Sequence, residues 1–222
     1  MTTGIKDRVA VIGMGCTKFG ERWDNNALDL MVEAAYEAYA DAGIEPKDIQ
    51  AAWFGTQSSA MSGQPVCEAL KLDYIPVTRV ENFCATGTDA FRNACFGVAS
   101  GVYDIVMAIG VEKLKDTGWT GLGSGGVPGT SQIEVNSPPP VQFALAATRY
   151  SKHYNMPIEE LKKALARIAV KNHKNGSMNP KAHFQKEITL ETALKAPFVA
   201  WPLGLFDCCG VSDGAAAAIV VR

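Results

Sequence analysis

Cys84 is the residue of this sequence whose surroundings best suit a chemical reaction. It follows an apolar, β-branched run over residues 75–80, which predicts a buried strand, and small residues after it open a predicted helix. The first N–H groups of a helix have no partner within the helix, and their partial positive charge stabilises a thiolate. A thiol on such a strand-to-helix corner is therefore predicted to be a nucleophile.

Glu81 places a negative charge three residues before this cysteine. A carboxylate close to a thiol disfavours the thiolate unless the carboxylate is paired or points away. Arg79 shares a face with Glu81 if the strand stays regular, because side chains two residues apart lie on one side. We expect the two side chains to form a structural salt bridge.

The overall composition is typical of an enzyme domain. The 222 residues are 47% hydrophobic and 20% charged, which is enough for a substantial core. The formal net charge of -2 offers no basic surface, so nucleic acid is not expected as a partner. No apolar stretch reaches the length of a membrane span, so we expect no membrane association.

The cysteines indicate a reducing compartment. None of the six has C-x-x-C spacing, and the only close pair, Cys208 and Cys209, is vicinal, which suits neither a zinc site nor ordinary disulfides. We therefore expect a cytoplasmic location and no metal. The cysteines other than Cys84 are predicted to be small, buried packing residues.

Strand and helix signals alternate along the first half of the chain. Strands are predicted at residues 9–13, 49–54, 75–80 and 104–111, and helices at residues 27–42, 64–72 and 85–100. Apolar runs without strict alternation are typical of a sheet covered by helices on both faces. A final strand is predicted within residues 212–221. The fold class is therefore α/β.

The chain changes character after Lys115. Gly118 to Gly129 is rich in glycine and three prolines follow at 138–140, a stretch too long for an ordinary connection. It indicates an excursion over an active site. Helices are predicted next, at residues 141–154 and 158–174, and the remainder up to residue 206 has no regular signal.

Gly13-Met14-Gly15 raises the alternative of a dinucleotide-binding domain, because it follows the first predicted strand. The third glycine of that fingerprint is missing, since Lys18 stands in its place. No helix is predicted to begin there either.

Four segments share their order and residue pattern with one enzyme family. They are residues 80–87 around Cys84, residues 108–113, residues 171–174 with Asn179-Pro180, and Cys208-Cys209 with residues 212–218. Together they resemble the thiolases, most closely the sterol-carrier-protein type and the acetyl-CoA acetyltransferases. The resemblance implies a thiolase-like fold with an N-terminal βαβαβ core, formed by residues 1–117 with 207–222. It also implies an inserted loop domain, residues 118–206, that faces coenzyme A.

The same resemblance implies acyl transfer of the thiolase type, as in acetyl-CoA acetyltransferase or 3-ketoacyl-CoA thiolase. Cys84 would attack the carbonyl of an acyl-CoA or 3-ketoacyl-CoA and hold the acyl group as a thioester. The backbone N–H of Cys84 is the candidate donor to the developing oxyanion. Coenzyme A enters as part of the substrate, no covalently bound cofactor is expected, and the sequence assigns no residue to coenzyme A binding.

Thiolases also carry a second α/β half, which supplies a histidine in a Gly-His-Pro-like motif. That motif does not occur here, and the three histidines, His153, His173 and His183, are expected at the surface or at helix ends. We therefore expect this chain to be a fragment or one half of a split enzyme, with little turnover on its own. It would work as a homodimer, or as a hetero-oligomer with a C-terminal thiolase half or an OB-fold subunit.

A second hypothesis is a thiolase-like subunit that serves as a scaffold or as a carbon–carbon lyase (aldolase) on acyl-CoA. A pure scaffold has no use for a thiol at the predicted corner, so Cys84 favours a chemical role.

Overall fold

The computed structural model describes residues 4–117 and 138–222. The predicted glycine-rich excursion, Gly118 to Gly129, lies outside the described residues. The chain divides into two compact units, Met1–Thr120 with Ser212–Arg222, and Gly121–Val211. The first unit carries a five-stranded sheet, and the second carries helices and a two-stranded sheet.

The helices and strands of the first unit occur in the predicted order. Its strands are β1 (Ala10–Cys16), β2 (Ala51–Gly55), β3 (Val77–Val80), β4 (Ile105–Glu112) and β7 (Gly214–Val221). Its helices are α1 (Ala27–Ala42), α2 (Gln64–Leu70) and α3 (Thr86–Ala99), with single 3₁₀ turns at Pro46–Asp48, Phe83–Ala85 and Lys115–Thr117.

The limits of α1 follow from local hydrogen bonds. The Asn26 side chain accepts from the backbone N–H groups of Leu28 and Asp29, and the Asp29 carboxylate accepts from the N–H of Asn26. This capping box begins the helix. Gly43 ends it in the left-handed region, with φ of 68°, where glycine has no steric penalty.

The sheet has the strand order β1-β7-β4-β2-β3. β2 pairs in parallel with both β3 and β4, whereas β7 pairs antiparallel with β4 and with β1. The carboxyl ends of β2, β3 and β4 therefore meet at one edge of the sheet, which is where open α/β sheets bind their ligands. In register, Gly55 lies opposite Val80 on one side and Gly110 on the other.

Alternate residues of the central strands enter two separate cores. In β4, Met107 and Ile109 belong to the core that includes α1 and α2, whereas Val106 and Ala108 belong to the core that includes α3. This follows from the two-residue period of a strand. The predicted α/β sheet with helices on both faces is confirmed.

Gly13 and Gly15 lie inside β1 and do not form a dinucleotide-binding turn, so that alternative is wrong. A Cβ at either position would overlap a backbone carbonyl oxygen of α1, that of Ala38 or that of Ala34. The two glycines therefore allow the helix to pack directly on the strand.

The outer edge of β1 is covered by acidic side chains of α1. The N–H of Met14 donates to the Asp41 carboxylate at 2.9 Å, and the N–H of Cys16 donates to the Glu37 carboxylate at 2.8 Å. Backbone donors of an edge strand are thereby satisfied without a neighbouring strand.

The second unit contains more regular structure than the sequence predicted. Its elements are α4 (Pro139–His153), α5 (Ile158–Met178), α6 (Leu190–Lys195), β5 (Phe198–Ala200) and β6 (Leu203–Gly204), with a 3₁₀ turn at Leu205–Asp207. α5 continues past the predicted end at Lys174 and stops before Asn179-Pro180, because a residue that precedes proline disfavours the helical region. The prediction of an irregular segment from residue 176 to 206 is therefore wrong in part.

The described residues contain neither a membrane-spanning helix nor a cluster of metal ligands. Within residues 4–117 and 138–222, no helix is long and apolar enough to cross a membrane. The same ranges contain no group of three or more histidine, cysteine, aspartate or glutamate side chains arranged to hold a metal ion.

Candidate active site

Cys84 lies on the predicted corner between a strand and a helix. β3 ends at Val80, the single 3₁₀ turn Phe83–Ala85 carries the cysteine, and α3 begins at Thr86. The side chain of Cys84 is exposed, as is that of Cys209, whereas Cys95 is buried. The thiol is thus open to solvent at the carboxyl edge of the parallel strands.

Phe83, immediately before the cysteine, holds a strained backbone. Its φ is 48°, in the left-handed region that residues with a Cβ rarely adopt. Both of its main-chain polar groups are bound locally: its N–H donates to the Glu81 carboxylate at 2.6 Å, and its carbonyl oxygen accepts from the Thr86 hydroxyl at 2.6 Å. Backbone strain of this kind clusters at functional sites and persists only where its surroundings enforce it.

Thr86 connects the corner to the helix. Its hydroxyl accepts from the N–H of Asn82 at 2.7 Å while it donates to the Phe83 carbonyl, and the residue is buried. Its methyl group packs against Gly55, because a Cβ added to Gly55 would lie 3.0 Å from the methyl carbon of Thr86. Threonine hydroxyls often form such local bonds to nearby backbone groups, which is the sequence signal for this role.

The predicted salt bridge between Arg79 and Glu81 is wrong. Among the ion pairs of the described residues none joins them, and the Arg79 guanidinium donates instead to three backbone carbonyls: Thr56 at 2.8 Å, Gln57 at 3.0 Å and Ala60 at 3.0 Å. Arginine presents several donors in a rigid fork, which suits a row of carbonyl oxygens. Arg79 therefore fixes the loop of residues 56–60, which follows β2.

Glu112 holds the same loop from the other side. Its carboxylate accepts hydrogen bonds from the hydroxyls of Thr56 at 3.1 Å, Ser58 at 3.0 Å and Ser59 at 2.9 Å, and from the N–H of Gln57. A cation on β3 and an anion on β4 thus clamp the loop between them. The loop begins beside the strand that leads to Cys84, since the N–H of Thr56 donates to the carbonyl of Val80.

A buried ion pair lies next to this loop, at the edge of the sheet where β4 ends. Asp213 is fully buried, Lys113 is 7% exposed, and their side chains are 2.8 Å apart. The Asp213 carboxylate also accepts from the backbone N–H groups of Leu114 at 2.8 Å, Lys115 at 3.0 Å and Arg22 at 3.1 Å. The pair therefore joins the end of β4, the start of β7 and the segment before α1.

The surroundings of this pair keep both groups charged. Burial by itself raises the pKa of Asp213, but hydrogen bonds from Lys113 and from the N–H groups of Lys115 and Arg22 outweigh it and hold the pKa below its ordinary value. Burial by itself lowers the pKa of Lys113, but hydrogen bonds to Asp116 and Asp213 outweigh it and raise the pKa. The aspartate is therefore anionic and the lysine cationic at neutral pH.

The three histidines, His153, His173 and His183, all belong to the second unit. His173 lies inside α5 rather than at its end. Its Nδ1 lies 3.1 Å from the carbonyl oxygen of Lys186, and its ring packs on Phe184 and Phe206. The unit that carries Cys84 therefore contains no histidine to act as its base.

Comparison with known proteins identifies the family. A family model described as "Thiolase, N-terminal domain" matches residues 9–222. The chain belongs to the thiolase family. The predicted family and fold are thereby confirmed, and the thiolase segment around Cys84 is part of the matched region.

Individual relatives agree with this thiolase assignment. An acetyl-CoA acetyltransferase of Methanothermobacter thermautotrophicus is 38% identical over 96% of this chain and 56% of its own length. Sterol carrier protein 2 of Bos taurus is 34% identical over 97% of this chain and 42% of its own length. A solved structure described as the Ltp2-ChsH2(DUF35) aldolase is 28% identical, with a TM-score of 0.80 over 96% of this chain and 55% of that chain. The chain thus spans about half the length of the curated relatives that it matches.

Proposed function

We propose that Cys84 is the nucleophile of a thiolase-type acyl transfer on coenzyme A thioesters. The observation that carries the proposal is an exposed thiol on a strained corner that opens a helix, in a thiolase N-terminal domain. The first turn of α3 is also accessible, since a Cβ added to Gly87 would meet no described atom within 4 Å apart from its chain neighbours and the backbone of its own helix. An acyl-CoA can therefore approach the sulfur along this side of the helix start.

The acyl transfer step is a thioester exchange. Cys84 loses its proton to solvent, its sulfur bonds to the carbonyl carbon, and a tetrahedral oxyanion forms. Donors aimed at that oxygen stabilise it, and the backbone N–H of Cys84 is our candidate for one of them. As the oxyanion collapses, the carbon–sulfur bond to coenzyme A breaks, and the departing thiolate takes up a proton from solvent. The product is an acyl-cysteine.

We further propose that the complete reaction needs groups outside this chain. No Gly-His-Pro motif occurs in the sequence, and the unit with Cys84 has no histidine to remove a proton from a second substrate. The second unit remains our candidate for the coenzyme A-facing loop domain. A second copy, a C-terminal thiolase half or an OB-fold subunit is the proposed partner for turnover.

Acylation of the isolated chain tests the proposal. The chain is incubated with acetyl-CoA, and the site of acetylation is read by peptide mass spectrometry, with hydroxylamine used to cleave thioesters. We expect a hydroxylamine-labile acetyl group on Cys84 that is absent from the Cys84→Ala variant. Cys209→Ala is the matched control, because Cys209 is also exposed. No label, or equal label on Cys84 and Cys209, would contradict the proposal.

A carbon–carbon lyase subunit is the second candidate function, and the likeness to the Ltp2-ChsH2(DUF35) aldolase supports it. An aldolase role does not require an acyl-cysteine, so it predicts that Cys84→Ala retains activity once the partner is present. A scaffold role predicts that Cys84 and Cys209 react with iodoacetamide at equal rates. Cys209 is the better comparison for this test than Cys95, which is buried.

A further inference from the structure

Glu81 makes a local turn that supports the corner before Cys84. Its carboxylate accepts from the backbone N–H two residues later, that of Phe83, at 2.6 Å. Asparagine and aspartate side chains form the same type of bond, to the backbone two residues later, in Asx turns. Glutamate is one methylene longer and makes the equivalent contact here, where Phe83 has φ of 48°. A charged acceptor also strengthens the bond.

The charge of Glu81 is not neutralised by a neighbouring cation. The side chain is exposed, and the ion pairs found in residues 4–117 and 138–222 do not include it. Arg79, the nearest cation in sequence, is bound to three carbonyl oxygens of the loop at residues 56–60. Glu81 therefore has no ion-pair partner among the described residues.

This charge lies close enough to act on the thiol. Six covalent bonds separate the Phe83 nitrogen from the Cys84 sulfur, so the bound carboxylate is within about 10 Å of that sulfur. The screening length at physiological ionic strength is about 8 Å. The field of Glu81 at the sulfur is thus weakened by salt but not abolished.

We propose that Glu81 has two separable roles, both of which rest on the proposed function of Cys84. Through its hydrogen bond it is a positioning residue, because it holds Phe83 in the conformation that presents the cysteine. Through its charge it is a specificity residue, because it disfavours acyl groups that carry a negative charge near the reacting carbonyl. The substrate class is therefore a coenzyme A thioester with an uncharged acyl chain.

Two alkylating reagents that differ in charge separate these roles. Iodoacetamide is neutral and iodoacetate is anionic, and both report the same thiolate, so the ratio of their rates at Cys84 cancels any change in ionisation. Glu81→Gln keeps an acceptor oxygen and removes the charge, whereas Glu81→Ala removes both. We expect Glu81→Gln to raise the iodoacetate-to-iodoacetamide ratio about two- to fourfold at low salt. The rise should vanish at about 1 M salt, where the screening length is about 3 Å.

The hydrogen-bonding role has its own readout in the amide exchange rate of Phe83. We expect exchange to accelerate most in Glu81→Ala and less in Glu81→Gln, which keeps an acceptor oxygen but loses the charge that strengthens the bond. Cys209, measured in the same digests, should show an unchanged reagent ratio in every variant. If Glu81→Gln leaves the iodoacetate-to-iodoacetamide ratio at Cys84 unchanged, the charge role is overturned. If the Phe83 amide exchanges at the same rate in the parent protein, Glu81→Gln and Glu81→Ala, the positioning role is overturned.

Substrates of matched length extend the test to acylation. Butyryl-CoA and succinyl-CoA have acyl chains of the same length, which end in a methyl group and in a carboxylate. We expect butyryl-CoA to acylate Cys84 faster, and Glu81→Gln to narrow the difference. If neither thioester acylates Cys84 but Glu81→Gln still raises the iodoacetate-to-iodoacetamide ratio, the proposed function of Cys84 fails. The effect of the Glu81 charge on the thiol is then retained. Should both acylate Cys84 at rates that Glu81→Gln leaves unchanged, the specificity role alone fails.

Discussion

Asp213 and Lys113 form an ion pair inside the first unit, with 2.8 Å between the carboxylate oxygen and the ammonium nitrogen. They are 100 residues apart in sequence, and the same carboxylate accepts from the backbone N–H groups of Leu114 and Lys115, next to Lys113, and of Arg22 in a further segment. The pair belongs to the edge of the sheet at which β3 delivers Cys84. Charge and hydrogen bonding at this edge therefore bear on both the stability of the unit and the geometry of the corner.

Removing the charge of Asp213 should destabilise the unit strongly. Asp213→Asn leaves the buried ammonium of Lys113 with only the half-exposed Asp116 as an anionic partner, and broken buried pairs of this kind typically cost about 3–5 kcal/mol. Urea unfolding followed by circular dichroism measures the change. Asp104→Asn is the matched control, because Asp104 pairs with Arg222 at the surface, and its expected effect is within about 1 kcal/mol. Similar losses in both variants would mean that the buried pair has no special importance.

The stability of the unit should also depend on pH through this pair. Because the pKa of Asp213 is lower in the folded state than its ordinary value of 3.8, its contribution is complete above that value and is lost as pH falls through the folded pKa. Because the pKa of Lys113 is raised above 10.5, its contribution is complete below 10.5 and is lost at higher pH. Urea midpoints measured across this range should fall at both ends. In Asp213→Asn the acid-side loss should be smaller.

Substituting Arg79 should loosen the loop that it shares with Glu112. Arg79→Lys retains the charge but cannot reach three carbonyl oxygens with one ammonium group. We expect a loss of about 2 kcal/mol, since hydrogen bonds to charged groups contribute about 1.5–3 kcal/mol each. Amide exchange at residues 56–60 should accelerate, as mass spectrometry can show. Arg92→Lys is the control, because the Arg92 side chain is exposed and pairs only with Asp89 among the described residues. Unchanged exchange in Arg79→Lys would refute the clamp.

The Thr86 hydroxyl should matter more than its methyl group. Thr86→Val removes the acceptor of the Asn82 N–H and the hydroxyl donor to the Phe83 carbonyl, which keeps only the backbone N–H of residue 86, whereas Thr86→Ser retains both hydroxyl bonds. We expect Thr86→Val to lose about 1–3 kcal/mol, the usual effect of an unsatisfied buried group. The rate of Cys84 alkylation relative to Cys209 should also fall in that variant only. Equal behaviour of the two variants would show that packing beneath Gly55, rather than hydrogen bonding, fixes the corner.

Local signals in the sequence were sufficient for much of the fold. α1 was predicted with its observed limits, Ala27–Ala42, because its apolar period and the glycine that ends it, Gly43, are both visible in the local sequence. The corner at Cys84 was predictable for the same reason. α6, β5 and β6 were missed because segments of six, three and two residues are too short to show a period.

Interactions between distant segments could not be predicted in the same way. Arg79 was predicted to pair with Glu81 because the two are close in sequence, but its acceptors come from a loop about twenty residues earlier. Every residue has a backbone carbonyl, so a residue pattern does not show which carbonyls will accept from an arginine. That these carbonyls bind Arg79 in place of the Glu81 carboxylate becomes clear only once the strands are paired. The hydrogen bond between Glu81 and Phe83 joins residues that are only two apart in sequence. It was not predicted because it depends on a left-handed backbone at Phe83, and no glycine marks that position.

The carboxylates of Glu37 and Asp41 have a consequence for assembly. Another chain that tried to add a strand beside β1 would have to displace both acceptors from the N–H groups of Cys16 and Met14. The addition of a further strand beside β1 is therefore disfavoured. β3 forms the opposite margin, so any association by strand addition is directed to the side of the sheet from which the chain turns towards Cys84.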